Sequence, residues 1–275
     1  LKHHKIDQRW LVMGPPGLSQ ASRGGVRFVA GPEERMWHRW RGMQSAFATE
    51  LEWHPHVVAS HFAPYSFPLC RPLKSQPHVV HFHGPWGEES AAEGAGWLNC
   101  RLKQLIERAI YRTGDRLITL SHAFARVLVE RYRVDPDLVR VIPGGVDVAR
   151  FASEVTRGEA REALGWDQGR PLILCVRRLV QRTGVAELIG AMEKVREHHP
   201  EALLLVAGIG RQEPTLKELI DARDLRDHVR LLGFVPEERL PLAYRAADVS
   251  VMPSQSLEGF GLSAVESLAA GTPVV

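Results

Sequence analysis

The chain has 275 residues, of which 44% are hydrophobic and 24% are charged, and its formal net charge is +3 at pH 7. This composition is typical of a globular protein with one or two domains, and the net charge is too small to indicate nucleic-acid binding. The three cysteines have no CxxC spacing, which argues against a disulfide framework or a cysteine zinc site and favours a reducing cytoplasm.

The two ends of the sequence resemble neither a signal peptide nor a completed domain. No apolar run approaches the ~20 residues that cross a bilayer, and the polar residues 1–5 lack the apolar segment of a signal peptide. The sequence begins without methionine, and Gly271 to Val275 resembles the entrance to another strand. A sheet that stopped there would leave an apolar edge unpaired, so we expect the sequence to be incomplete at both ends.

Short runs of Val, Ile and Leu with few charges recur along the chain. Such runs predict strands of a parallel sheet, which are buried on both faces. The first 50 residues are rich in Gly and Pro and predict loops around one short strand at 26–29. Further strands are predicted at 56–60, 78–82, 117–120, 139–142, 172–176, 202–207, 229–234 and 249–252.

Helical periodicity occupies the segments between these runs. Ser121 predicts the cap of a helix that ends near Tyr132, and further helices are predicted at 185–197, 213–222 and 237–247. The alternation predicts doubly wound α/β domains, divided near 151–157 into residues 1–150 and 151–275. An earlier helix carries an apolar stripe of Leu98, Leu102, Leu105, Ile106, Ala109 and Ile110.

A cluster of arginines follows the predicted strand at 172–176 and precedes a helix that starts near Gly184. Ligands of open α/β sheets lie beyond the carboxyl ends of strands, and arginine can hold a phosphate with two parallel hydrogen bonds. The alternative is that these arginines are solvated or pair with acids. Gly208 and Gly210 follow the next strand, where an ordinary turn is the more common explanation.

The segment 253–266 delivers glycines to the start of a helix predicted from Gly261 to Ala270. Free N–H groups and the helix dipole make such a start an anion site. Glu258 precedes the helix and Glu266 lies more than a turn inside it, which suits two separate tasks, such as accepting hydrogen bonds from sugar and ribose hydroxyls. The alternative is a loop acid and an exposed helix residue.

Histidines alternate along the predicted strand at 78–82. His81 and His83 therefore share one face. Metal binding with His54, His56 or His61 is one interpretation, and a hydrogen-bonded structural histidine is another. His83 follows the strand directly, where a residue of a ligand-binding crevice is expected.

These segments resemble a known family. Glu258 to Glu266 resembles the E-x7-E motif of retaining glycosyltransferase family 4 and its GT-B relatives, and the resemblance covers roughly residues 54–275. It implies an α/β GT-B fold, with two Rossmann-like domains facing across a cleft, the first for the acceptor and the second for the nucleotide sugar. The other matching segments are Val141 to Asp147, Arg178-Leu179, Leu232 to Pro236, Tyr244 to Asp248, Glu266 to Val275, and His83-Gly84.

The resemblance implies retaining, metal-independent transfer of a sugar from a UDP- or GDP-linked donor to a glycan or lipid-linked acceptor, as in polysaccharide synthesis, in the cytoplasm and without a cofactor. Such transfer passes through an oxocarbenium-like state, and cations and N–H donors stabilise the departing diphosphate. The implied site consists of Arg178 and the loop Gly259, Phe260, Gly261 and Leu262 at the diphosphate, Glu258 at the sugar, Glu266 at the ribose, and His83 facing the donor sugar.

Two departures from the family pattern bear on this site. Thr183 stands where the family usually has a lysine, and the neighbouring Arg182 would supply the second charge. The family's first strand and glycine-rich loop are not evident, since Ser22 to Val26 resembles that loop only superficially.

Other functions remain open from the sequence. They are a nucleotide-binding module without catalysis, a nucleotide-sugar epimerase of the same fold, and a NAD-dependent dehydrogenase, although the GxGxxG fingerprint of the last is missing. Peripheral contact with the inner face of a membrane is a further hypothesis, because Arg101, Lys103, Arg108 and Arg112 could meet anionic lipid. The alternative for these four residues is a solvated helix face.

Overall fold

The computed structural model describes residues 6–14, 25–31, 33–152 and 154–275. The loops predicted from Pro15, Gly24 and Pro32 lie outside these residues. Contacts divide the chain into two compact units, the first of residues 1–88 and 96–142 and the second of residues 89–95 and 143–275. The predicted domain boundary at residues 150 and 151 stays a prediction.

Strands and helices alternate through most of the described residues. The strands are β1 (Trp10–Met13), β2 (Val26–Ala30), β3 (Val58–Ser60), β4 (His78–Phe82), β5 (Arg116–Thr119), β6 (Val139–Val141), β7 (Leu172–Val176), β8 (Leu203–Ala207), β9 (Val229–Gly233) and β10 (Val249–Ser250). The helices are α1 (Met36–Leu51), α2 (Ala63–Ser66), α3 (Cys70–Leu73), α4 (Trp86–Ala92), α5 (Trp97–Tyr111), α6 (His122–Tyr132), α7 (Val148–Phe151), α8 (Arg157–Leu164), α9 (Val185–His198), α10 (Glu213–Ala222), α11 (Leu240–Ala246) and α12 (Leu262–Ala269).

Each unit is built on a parallel sheet with its own core. The first unit has the strand order β3-β4-β5-β6, with β1 and β2 as a separate parallel pair, and the second has the order β10-β7-β8-β9. All five residues of β8 are buried. Leu204 and Val206 join one core cluster, whereas Leu203 and Leu205 join another. Since side chains alternate along a strand, β8 is covered on both faces, as in a doubly wound α/β fold.

The strand predicted at 26–29 is confirmed as β2, but the prediction of loops around it was wrong, because this part of the chain also forms β1 and the 16-residue helix α1. The helix gave little local signal: its N-cap, Arg35, makes no side-chain capping bond, and Gly42 lies inside it. Met43, Ala46 and Phe47 are nevertheless buried at helical spacing. Burial of these side chains in the core of the first unit therefore outweighs the weak local helix propensity of this segment.

The apolar stripe of α5 divides into two parts. Ile106 and Ile110 are buried, whereas Leu98, Leu102 and Leu105 are exposed. The spacing predicted the helix correctly, but only the second half of the stripe faces the core of the first unit.

The entrance to a further strand, predicted at Gly271 to Val275, agrees with the structure. Val274 forms a parallel bridge with Ser250, and the N–H of Met252 donates to the carbonyl oxygen of Val275 at 2.9 Å. The last residues therefore pair alongside β10 in the direction of a further parallel strand.

Candidate functional site

The second unit brings its arginine segment to the carboxyl end of β7, beside the loop that follows β8. Gly208 has a φ of +147°, and a Cβ on it would lie 1.8 Å from the carbonyl oxygen of Arg177. The N–H of the buried Leu179 donates to the carbonyl oxygen of Ile209 at 3.0 Å. The glycine thus lets two loops pack closely together. This packing favours the interpretation of Gly208 as part of an ordinary turn over its interpretation as a ligand contact.

Arg177 and Glu258 are the centre of a polar network in the loop before α12. The Nη2 of Arg177 donates to Glu258 Oε2 and to Ser254 Oγ, and Ser254 Oγ donates to the same carboxylate oxygen at 3.0 Å. Glu258 Oε1 accepts from the N–H of Gly261 at 3.0 Å. Burial alone would raise the pKa of Glu258, but the bond and charge of Arg177, with Ser254 and Gly261, hold it below its ordinary value of 4.5. The carboxylate is therefore ionised at neutral pH.

The loop Gly259 to Leu262 forms the turn from which α12 starts. Gly261 has a φ of +77°, and a Cβ on it would lie 2.7 Å from the Cε of Met252. Phe260 is half-buried directly before this turn. For the described residues no hydrogen bond is recorded from the N–H of Leu262, so the positive end of the helix dipole remains available to an anion.

Arg178 and Arg182 differ in their surroundings. The described residues give Arg178 no carboxylate at ion-pair distance. Arg182 is 6% exposed in its side chain, with Nη2 at 3.2 Å from Glu89 Oε1 and Nε at 3.8 Å from Glu93 Oε1. The Nε of Arg182 is buried and has no hydrogen-bond partner among the described atoms. Arg178 is therefore available to a ligand, whereas Arg182 is held by two acids with part of its donor capacity unused.

Glu89 shows that these groups share one neighbourhood. Burial raises its pKa, the charges of Arg182 and Arg178 oppose the rise, and Glu258 adds to it. Thr183 does not take the place of a cation. The single O–H of its buried side chain is shared between the carbonyl oxygens of Arg178, at 2.8 Å from Oγ1, and of Val180, at 2.6 Å.

Glu266 lies within α12 and is half-buried. Its Oε2 accepts a hydrogen bond of 2.9 Å from the hydroxyl of Tyr244, which is buried. Burial and the charge of Glu266 raise the pKa of Tyr244 far above its ordinary value, so the phenol is a donor. This bond fixes one carboxylate oxygen of Glu266 in place, so that the acid is not the freely solvated helix residue of the alternative interpretation.

In the first unit, imidazole and phenyl rings stack at the carboxyl ends of β3 and β4. The rings of His61 and His81 are 4.4 Å apart at 15°, and those of Phe62 and His83 are 5.4 Å apart at 25°. His61 Nδ1 and His83 Nε2 lie 3.0 Å apart, within hydrogen-bonding distance. His81 and His83 share one face, as predicted, with ring centres 6.3 Å apart.

This cluster is held in the neutral state. Burial, with repulsion from its two histidine neighbours, lowers the pKa of His81 to about 4, and burial also lowers the pKa of His61 and of His83. Throughout the described ranges, no group of three or more His, Cys, Asp or Glu side chains is arranged to hold a metal ion. Neutral imidazoles that lie face to face instead offer ring surface, with one donor and one acceptor nitrogen each, and the bond between His61 and His83 uses one nitrogen of either ring.

His78 has the hydrogen-bonded structural role that was the alternative interpretation for His81 and His83. It is fully buried, with Nε2 at 2.9 Å from Ser60 Oγ and Nδ1 at 3.1 Å from Thr113 Oγ1. Both ring nitrogens are thus satisfied within the first unit.

The sequence did not indicate three of the groups that surround the predicted residues. Arg177 precedes Arg178 on a strand end, where neighbouring side chains point in opposite directions, but the spacing did not show which arginine meets Glu258. Glu89 and Glu93 lie far from Arg182 in sequence, and no motif marks them.

Two family profiles cover most of the chain. The profile described as "Glycosyltransferase Family 4" matches residues 1–150, and the profile described as "Glycosyl transferases group 1" matches residues 156–275. The chain belongs to glycosyltransferase family 4.

A D-inositol 3-phosphate glycosyltransferase of Kineococcus radiotolerans is 31% identical over 291 residues, which cover 95% of this chain and 65% of the relative. The mannosylfructose-phosphate synthase of Agrobacterium fabrum is 36% identical over 179 residues, which cover 62% of this chain and 39% of the relative. This member of the family thus spans less than two thirds of the length of these relatives.

Solved structures confirm the expected GT-B fold. Sucrose-phosphate synthase from Thermosynechococcus elongatus has a TM-score of 0.73 and 22% identity, covering 89% of this chain and 61% of the other. The Anabaena protein HepE in complex with UDP-glucose has a TM-score of 0.76 and 19% identity, covering 96% of this chain and 71% of the other. The family 4 chain therefore has the α/β architecture of GT-B glycosyltransferases.

Proposed function

We propose that this chain is part of a retaining glycosyltransferase that moves a sugar from a UDP- or GDP-linked donor to a glycan or lipid-linked acceptor, in polysaccharide or glycolipid synthesis. The observation that carries the proposal is the network of Arg177, Glu258 and Gly261 in the second unit, next to Arg178, which has no ion-pair partner in the described part of the chain. Family membership supports the reaction class, and the structure of HepE with UDP-glucose supports a nucleotide-sugar donor.

The diphosphate of the donor would be held by cations and N–H groups. Arg178 has no recorded carboxylate partner in the described part of the chain, so binding a phosphate breaks no ion pair. Arg182 would bind by exchanging Glu89 for phosphate, with its unused Nε as a further donor. The start of α12 near Leu262 adds N–H groups. Such preorganised donors act most strongly on the charge that develops as the diphosphate departs.

The two glutamates would hold hydroxyl groups. An ionised carboxylate accepts about four hydrogen bonds, and Glu258 already accepts from Arg177, Ser254 and Gly261. It therefore retains room for a hydroxyl of the transferred sugar. Glu266 is oriented by Tyr244 and would accept from the ribose hydroxyls.

We propose His83 as the second catalytic residue, after Glu258. Its lowered pKa keeps the ring neutral, and a neutral imidazole can donate or accept one hydrogen bond at a sugar hydroxyl without adding positive charge beside an oxocarbenium-like centre. The proposal requires no cofactor and no metal, and it locates the reaction in the cytoplasm, with peripheral contact at the inner face of the membrane.

Calorimetric titration of the chain with UDP, GDP and ADP tests the donor site. We expect micromolar binding of one nucleotide, and a loss of about 1–3 kcal/mol in Glu266→Ala for the missing ribose hydrogen bonds. Glu197→Ala, which changes an exposed acid of α9, is the matched control and should bind like the wild type. If neither the chain nor a version extended to the length of its relatives binds any of the three nucleotides, the proposed function is wrong.

A further inference from the structure

His83 is hydrogen-bonded through one of its two ring nitrogens. Its Nε2 lies 3.0 Å from Nδ1 of His61, and the side-chain hydrogen bonds recorded for the described residues include none to its Nδ1. The buried His78, by contrast, has both ring nitrogens bonded within the first unit. Since His83 is exposed, its Nδ1 remains available to a ligand.

The ring of His61 is itself held in place by stacking. It lies on the ring of His81, with centres 4.4 Å apart at 15°, and the ring of Trp10 is 6.0 Å away at 32°. Phe62, which is 56% exposed, stacks on His83 at 5.4 Å and 25°. Neither imidazole can turn without breaking these ring contacts, so His61 presents its Nδ1 to His83 in a fixed direction.

The bond between the two imidazoles contains a single N–H. Burial lowers the pKa of His61 and of His83, so both rings are neutral and each has one N–H to place. If Nε2 of His83 is the donor, both rings have the Nε2–H tautomer that a free histidine side chain favours in water. If Nδ1 of His61 is the donor, both have the less favoured tautomer. The first arrangement is therefore the more stable, and it leaves a lone pair on Nδ1 of His83.

We infer that His61 is a positioning residue, whose Nδ1 accepts the N–H of His83 Nε2 and so keeps Nδ1 of His83 as a hydrogen-bond acceptor for a hydroxyl of a substrate sugar. The inference rests on the proposed function and deepens it, since it specifies how His83 would contact the substrate. The bond made by one ring nitrogen decides whether the other donates or accepts. An acceptor nitrogen places partial negative charge beside an oxocarbenium-like centre, which stabilises that centre.

NMR of the ¹⁵N-histidine-labelled chain at pH 7, without donor, tests the inference. We expect the ring proton of His83 on Nε2, protected from exchange, with a nitrogen–nitrogen coupling across the bond to His61. His61→Phe keeps a ring in the stack but lacks the acceptor, so both signals should be lost. His61→Asn places an amide near the position of Nδ1 and should restore the protected proton. His122→Phe, the same substitution at an exposed histidine of α6, should resemble the wild type.

Turnover of UDP-glucose and GDP-mannose as probe donors, measured as release of UDP or GDP, gives the functional readout. We expect His61→Phe to lower kcat by about fivefold to tenfold, roughly the contribution of one neutral hydrogen bond, with KM changed by less than about twofold. His61→Asn should recover most of this loss. A role limited to packing predicts the reverse order, because Phe fills the stack better than Asn.

Three results would overturn the inference: a ring proton on Nδ1 of His83, no coupling between the two rings, or turnover that His61→Phe retains and His61→Asn loses. The bonded ring of His78 reports in the same spectra whether each variant is folded. The ring signals need no donor, and they decide the inference even where neither probe is turned over. If the bond is observed but His83→Gln turns over donor like the wild type, the catalytic assignment of His83 fails. If His83→Gln loses turnover and the bond is absent, only the role of His61 fails.

Discussion

At the scale of single residues, the pair of Arg177 and Glu258 links the fold of the second unit to its site. The side chain of Arg177 is 12% exposed, and its Nε has no hydrogen-bond partner among the described atoms. Glu258 therefore supplies the charge that makes burial of this guanidinium tolerable. The same carboxylate orients the N–H of Gly261, so that one acid serves both the loop and the proposed sugar contact.

Glu258→Gln should lower the free energy of unfolding by about 1.5–3 kcal/mol, because it leaves Arg177 buried beside a neutral amide. Urea unfolding at pH 7 measures the change. Glu218→Gln, which alters an exposed acid of α10, is the matched control and should stay within about 0.5 kcal/mol of the wild type. Equal effects of the two substitutions would show that the pair contributes nothing specific.

The pH dependence of this difference follows from the lowered pKa of Glu258. A carboxyl group whose pKa is lower in the folded state contributes stability that is complete above its unfolded pKa, near 4.5, and that is lost as pH falls through the folded pKa. The stability difference between the wild type and Glu258→Gln should therefore persist from pH 7 to about 4.5 and shrink below it. A difference that grows as the solution is acidified would contradict the assignment.

At the scale of elements, α4 and α5 are joined by one buried acid. Glu107 of α5 accepts from the N–H groups of Trp86 at 2.7 Å and Gly87 at 3.1 Å, where α4 begins. It also accepts from the hydroxyls of Tyr111 at 3.1 Å and Tyr132 at 2.8 Å. The segment that follows His83 is thus anchored by a side chain that the sequence alone did not single out.

Glu107→Ala should destabilise the first unit by about 3–5 kcal/mol, since four donors around this buried carboxylate lose their acceptor at once. Denaturant unfolding followed by circular dichroism gives this value, with Glu130→Ala, an exposed acid of α6, as the control. A loss below about 1 kcal/mol would mean that water replaces the carboxylate at little cost.

The sequence predicted the positions of strands more accurately than it predicted contacts between distant side chains. The bounds of β4 and β7 agree with the predictions because buried parallel strands are continuous apolar runs. The helix α1 was missed because its N-terminus lacks a capping side chain, and the exposure of Leu98 was missed because periodicity reports spacing and not what covers a face. The contact between Glu89 and Arg182 joins residues 93 positions apart along the chain, and no local pattern encodes it.

At the scale of the whole molecule, the groups proposed for the donor belong to the second unit. They come from the end of β7 and from the turn before α12, which a parallel sheet gathers at its carboxyl edge. The resemblance specified these positions because the motif residues sit at that edge. The acceptor and the identity of the sugar depend on pocket contacts that the motifs do not specify.

Metal removal tests how this unit neutralises a diphosphate. Arg178, Arg182 and the N–H groups at the start of α12 supply positive charge from the protein itself, which is the role that Mg²⁺ has in many phosphate sites. We therefore expect the dissociation constant of the preferred nucleoside diphosphate to change by less than about twofold when Mg²⁺ is replaced by EDTA, since a shift of that size is only about 0.4 kcal/mol. Titration calorimetry at constant ionic strength measures it. A loss of affinity of tenfold or more on chelation would show that the arginines are insufficient and that the donor enters as a metal complex, which would overturn the metal-independent part of the proposal.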